Sequence, residues 1–156
     1  MFESSRMKKI LFVVAALFAG YAYFGSQYSA TPNNASTATQ NQRADTSDTA
    51  IANAFANKIS NLQVSGQGVV IKLLPDDNDG SRHQKFVVKL ASGQTLLIAH
   101  NIDLAARVAS LSEGDSIMFN GQYEWNAKGG VLHWTHLDPN RSHPAGWLQH
   151  QGKIYQ

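Results

Sequence analysis

The chain has no cysteine, only four prolines and, once its first 29 residues are set aside, no excess of either charge. Without cysteine there can be no disulfide, thiolate zinc site, lipobox anchor or cysteine nucleophile. The formal charge of +2 comes entirely from Arg6, Lys8 and Lys9 against Glu3; from Ala30 onward, ten Lys and Arg face ten Asp and Glu. A neutral body lacks the broad basic footprint of a sequence-independent polyanion binder. There is no glycine-rich phosphate loop, nucleophile elbow or internal repeat. Asp76, Asp77 and Asp79 suggest a calcium loop, but counted from Asp77, Gly80 comes too early and Val88 stands where the closing glutamate belongs. That stretch reads as a solvated turn.

Three basic residues near the start precede the uncharged run Ile10 to Phe24, 15 residues long. Residues 1–30 therefore read as an export signal, either a cleaved signal peptide or an uncleaved anchor held in the inner membrane through residues 10–24. The flanking positive charges keep that end cytoplasmic and send the rest across, to the periplasm or beyond. Residues 31–45 carry almost no large apolar side chain and read as a disordered linker, which leaves one domain over residues 46–156.

Within that domain the pattern is mainly β. Ser47 or Asp48 is placed to cap a short helix bearing Ile51, Phe55, Ile59 and Leu62 at spacings of four, four and three. A long strand follows from Gln63 to Leu74, where Gly66 and Gly68 predict a bulge or bend. Residues around Phe86 and Leu97 alternate as a hairpin. With Ser92 and Gly93 as its two turn residues, His100 falls opposite Lys85, and His83 lies on the same face. Leu104, Val108 and Leu111, ahead of Gly114, predict a second short helix. Ser116 to Trp125 and Gly130 to His136 form another hairpin. Strand, hairpin, helix, hairpin is the order of the five-stranded oligonucleotide/oligosaccharide-binding (OB) barrel, with its helix between strands three and four.

The strings LLPDDNDGSRHQKF, HNIDLA, GQYEWNAKGG and HWTH, within Leu62 to Gln156, resemble a family of small exported bacterial proteins carrying a domain of unknown function. The resemblance implies export and a compact domain and carries no reaction or functional residue with it. In outline the barrel also resembles staphylococcal-type nucleases, but their paired arginines and early-strand carboxylates are not recognisable here.

Candidate chemistry concentrates between Lys128 and His150, which holds four of the six histidines and two of the three tryptophans. His136, Asp138 and His143 occupy a loop-like stretch and could converge on a divalent ion such as zinc, although exposed or hydrogen-bonded structural roles explain them too. His133 and His136, three apart on an expected strand, would face opposite ways. Tyr123, Trp125, Trp134 and Trp147 offer ring faces for bases or sugars, and His83, His100 and Asn101 a polar cluster at a hairpin end; core packing is the competing role for each. The leading expectation is a non-enzymatic binding module for nucleic acid, saccharide or a metal ion. The alternative is a metal-dependent phosphodiesterase with Glu124 or His133 as general base.

Overall fold

The computed structural model describes residues 47–156; the expected leader and the linker over 31–45 lie outside the described residues. Among the described residues no helix is long and apolar enough to cross a membrane. Helix α1 covers residues 47–56 and is followed by strands β1 (Leu62–Leu73), β2 (His83–Lys89), β3 (Thr95–Asn101), β4 (Ser116–Glu124), β5 (Val131–His133), β6 (Trp147–His150) and β7 (Lys153–Tyr155).

Five of these strands close into a barrel in the order β1-β2-β3-β5-β4, with β4 returning to β1. Closure depends on β1 serving two neighbours. Its first part pairs with β4, from Leu62 opposite Tyr123 to Val69 opposite Ser116, and its last part pairs with β2. Its bulge falls between Val70 and Lys72, within the pairing to β2, not at the glycines; the change of partner comes just before it, at Val69, which faces both Lys89 and Ser116. Those glycines answer a packing demand: a Cβ at Gly66 would stand 2.7 Å from the Phe119 ring, and one at Gly68 would stand 3.0 Å from Val88. Strand β3 meets β5 in parallel over only two pairs, as expected of the OB strand order.

Alternation directs one side of each strand inward. Val70, Phe86, Val88, Ile98, Ile117, Phe119, Tyr123, Leu132 and Leu148 fill the barrel, and Ile51 and Ala54 of α1 join the same core. The helix is shorter than the apolar spacing suggests. Ile59 donates to Ala54 O and Lys58 to Phe55 O, with Lys58 at φ 54°, which is a Schellman stop built without glycine. Ile59 therefore lies beyond the helix and is exposed.

The second expected helix is absent: residues 102–115 form a run of turns. Buried Gln84 accepts from the Val108 N–H at 2.9 Å and donates to Val108 O at 3.2 Å, so Val108's backbone groups are taken by a side chain of β2. Val108 and Leu111 reach the core from this irregular backbone, while Leu104 stays exposed.

The first hairpin also differs by one residue. Leu90 and Gln94 close a three-residue turn, Ala91 to Gly93, with Gly93 at φ 88°. His100 consequently pairs with Gln84, and His83 with Asn101. This slip sends His100 into the core and leaves His83 on the outside, because the side-chain period along a strand is two.

The carboxy-terminal stretch folds back onto the barrel. Strand β5 is too short to cover the edge of β4, and β6 takes over, pairing Ile117 to Asn120 with His150 to Trp147. Gln151 and Gly152, both at positive φ, turn the chain into β7. Buried His150 reaches Asp115 at 2.9 Å and ties the hairpin to the approach to β4.

Candidate functional site

The outward side chains of β1, β4, β5 and β6 form a face of unusual composition. Paired residues across it make three rows: Gln67, Met118 and Gln149; Ser65, Asn120 and Trp147; Gln63, Gln122 and His133. The inward neighbours Val64, Phe119, Leu132 and Leu148 are buried, so the amides point outward by the same alternation that builds the core.

These amides are positioned by one another. Gln63 donates to Asn120 Oδ1 at 2.6 Å, Asn120 donates to Ser65 Oγ at 2.5 Å, and Gln67 donates to Ser116 Oγ at 2.8 Å. Gln122 uses both N–H groups, on Asn61 Oδ1 at 3.0 Å and Glu124 Oε1 at 2.6 Å. Each primary amide has two donor hydrogens and two acceptor lone pairs, so Gln63, Gln67 and Asn120 retain valences for a ligand.

At one end of this face stand rings. Trp134, at φ 53°, turns the chain out of β5. The His143 imidazole stacks on its indole with centroids 4.1 Å apart, and the His136 ring lies tilted 5.4 Å away. His143 Nε2 contacts Gln122 Oε1, and its Nδ1 lies 2.9 Å from Pro144 O. Two carbonyl acceptors face the two ring nitrogens; a neutral imidazole satisfies one of them and the imidazolium both. Trp147, on the adjoining row beside Asn120, is likewise partly exposed.

Asp138 is the organiser of the loop that carries His143. Its carboxylate accepts from the Asn140, Ser142 and His143 amides and from Ser142 Oγ. Those bonds, the Ser142 hydroxyl first, hold it at about 2. With four donors already in place, Asp138 is a loop hub, while buried His136 directs Nδ1 at Leu137 O, 2.7 Å away. The expected His136, Asp138 and His143 ion site is therefore not assembled, and among the described residues no three His, Asp or Glu side chains gather as a metal site.

The acid–base pair fares similarly. Burial works against the Glu124 charge, but hydrogen bonds from Gln122, Ser60 and the Asn61 amide outweigh it and keep the carboxyl below its ordinary range. His133 is pushed down, chiefly by burial, and its Nε2 stands 3.9 Å from Glu124 Oε1, beyond hydrogen-bond reach. A carboxylate already occupied by several donors is a weak proton acceptor.

The remaining expected site residues separate. Tyr123 lies in the core and donates to Gly129 O, whereas Trp125 is partly buried against that core, with Nε1 donating to Phe55 O at 3.1 Å and Lys58 Nζ 5.5 Å from its ring centroid. His100 is fully buried between Thr135 Oγ1, 2.8 Å away, and Ala106 O, 3.1 Å away. Asn101 Oδ1 caps the Asp103 amide. The polar cluster expected at the hairpin end is thus split between the two sides of the sheet. The amides at positions 63, 67, 120, 122 and 149 were not singled out from sequence. Their signal was present in QVSGQ and NGQYE, where polar residues recur at every second position.

The architecture and its outer face define a small closed β-barrel of OB type carrying an uncharged amide ladder flanked by indoles. The chain belongs to the family described as protein of unknown function (DUF3465), whose model matches residues 34–156. No curated protein matches it.

Proposed function

We propose that the protein is a non-enzymatic binding module of the bacterial cell envelope, exported or tethered by residues 1–30, and that its ligand is an uncharged saccharide. The observation that carries this reading is the ladder of Gln63, Gln67, Asn120, Gln122 and Gln149 beside Trp134 and Trp147. Neutral amides match hydroxyl groups as both donors and acceptors, and indole faces match the apolar faces of sugar rings. The charge balance from Ala30 onward supports a neutral ligand over a polyanion.

The test is a binding survey of the purified domain against neutral glycans, heparin and single-stranded DNA, repeated with a Trp134→Ala, Trp147→Ala double variant. Saturable binding to neutral glycans that the double variant loses is the expected result. Unchanged binding in the variant, or binding to the polyanions alone, overturns the reading.

A further inference from the structure

A second recess lies away from the amide face, between the end of β1, the start of β2 and the turn segment that replaces the expected helix. It is a half-open hollow of about 300 Å³ with a mixed lining, its apolar part formed by Leu73, Leu74, Val108 and Leu111. Two cations, Lys85 and Arg107, also line it. The wall is firmly built: Gln84, itself buried, grips both backbone groups of Val108 and so fixes the residues that follow.

Both cations are held by the acidic turn that matches no calcium loop. Arg107 pairs with Asp76, and Lys85 lies 3.3 Å from Asp77. The bridge between Asp77 and His83 secures that turn to β2. Neighbouring aspartates thus set two carboxylates on two cations at the edge of a hollow that has polar surface as well as its leucine and valine wall. Ion pairs with this degree of exposure contribute little, so exchanging one for a ligand carboxylate costs little, and the hollow then rewards whatever apolar body the ligand brings.

We infer that this recess binds a small amphipathic carboxylate, with its apolar body against Leu73, Leu74 and Val108 and its charge between Arg107 and Lys85. Asp76 occupies the place of the ligand's head group. The volume sits at the lower end of ligand cavities, roughly 300 to 1,000 Å³, which suits a short acyl chain better than a membrane lipid. Its wall comes from β1, β2 and the following turns, so the inference does not rest on the saccharide reading.

The experiment titrates octanoate, acetate and 1-octanol into the isotopically labelled chain from Ala38 onward, which contains the whole closed core, and follows the amide signals of Val108 to Leu111. Octanoate is expected to shift them saturably, at least about tenfold more tightly than either control. Arg107→Gln weakens octanoate by about tenfold, and Asp76→Asn, which removes the internal competitor, tightens it by about threefold. Both substitutions are at partly exposed side chains, and unchanged signals from β3 to β5 confirm the fold. Equal affinity for octanol or for acetate, no saturation, or weaker binding in Asp76→Asn overturns the inference.

Discussion

The imidazole of His143 lies on the indole of Trp134 with ring centroids 4.1 Å apart and planes 9° from parallel. It covers a face that a sugar ring would need. An aromatic pair of this kind is worth about 0.5–1.5 kcal/mol, so removing the cover by His143→Ala is expected to strengthen saccharide binding by roughly two- to tenfold. Calorimetric titration distinguishes the outcomes; weaker binding would make the imidazole itself a ligand contact.

Buried His100 provides a pH dependence. Desolvation lowers it from an ordinary 6.5 to about 4, against the help it receives from Ala106 O. The unfolded chain therefore binds the proton more readily, and stability falls as pH drops from about 6.5 towards 4 and levels off below that. The full shift corresponds to about 3 kcal/mol. Thermal unfolding between pH 7.5 and 4 is expected to show this decline, with a visibly smaller slope in His100→Gln.

Asp138 governs a different region. Asp138→Ala removes the acceptor of the Asn140, Ser142 and His143 amides and is expected to speed hydrogen exchange at these positions by tenfold or more, by order of magnitude, with the barrel strands unaffected. The carboxyl is held at about 2, so in the parent protein these bonds persist through mild acid. They weaken only as pH falls below the ordinary carboxylate value towards 2. Equal exchange in variant and parent at neutral pH would remove the hub.

The glycines of the barrel separate two kinds of constraint. At Gly66 an added Cβ meets the Phe119 ring at 2.7 Å, and Gly66→Ala is expected to cost about 1–3 kcal/mol through overpacking. At Gly130, φ is 98° and the added Cβ would lie 2.1 Å from Tyr123 Cε2, so strain and clash combine. Gly130→Ala should therefore cost more than Gly66→Ala. Chemical denaturation of the two variants ranks them.

Asp138 and Glu124 already accept hydrogen bonds from several donors. Extensive dialysis against chelator is expected to leave the unfolding temperature unchanged, because no three ligating side chains converge among the described residues. A fall of several degrees, the shift expected for loss of about 1 kcal/mol, would restore a metal site to consideration.

The sequence by itself determined the five barrel strands and their closing order, because alternation at a period of two dictates which side of a strand is apolar, while β6 and β7 emerged only in the folded chain. It did not determine where local periodicity yields to distant partners. Leu104, Val108 and Leu111 have helical spacing, yet the Gln84 amide, 24 residues from Val108 in sequence, claims the bonds that a helix would need. Trp125 reads from its neighbours as either a stacking ring or a packed one, and it is α1, 70 residues from it in sequence, that supplies Phe55 O for its indole N–H. A single extra turn residue ahead of Gln94 separated His83 from His100. Only the tertiary structure decided these points, because a buried polar group takes the hydrogen-bond partner that the fold presents, wherever it lies along the chain.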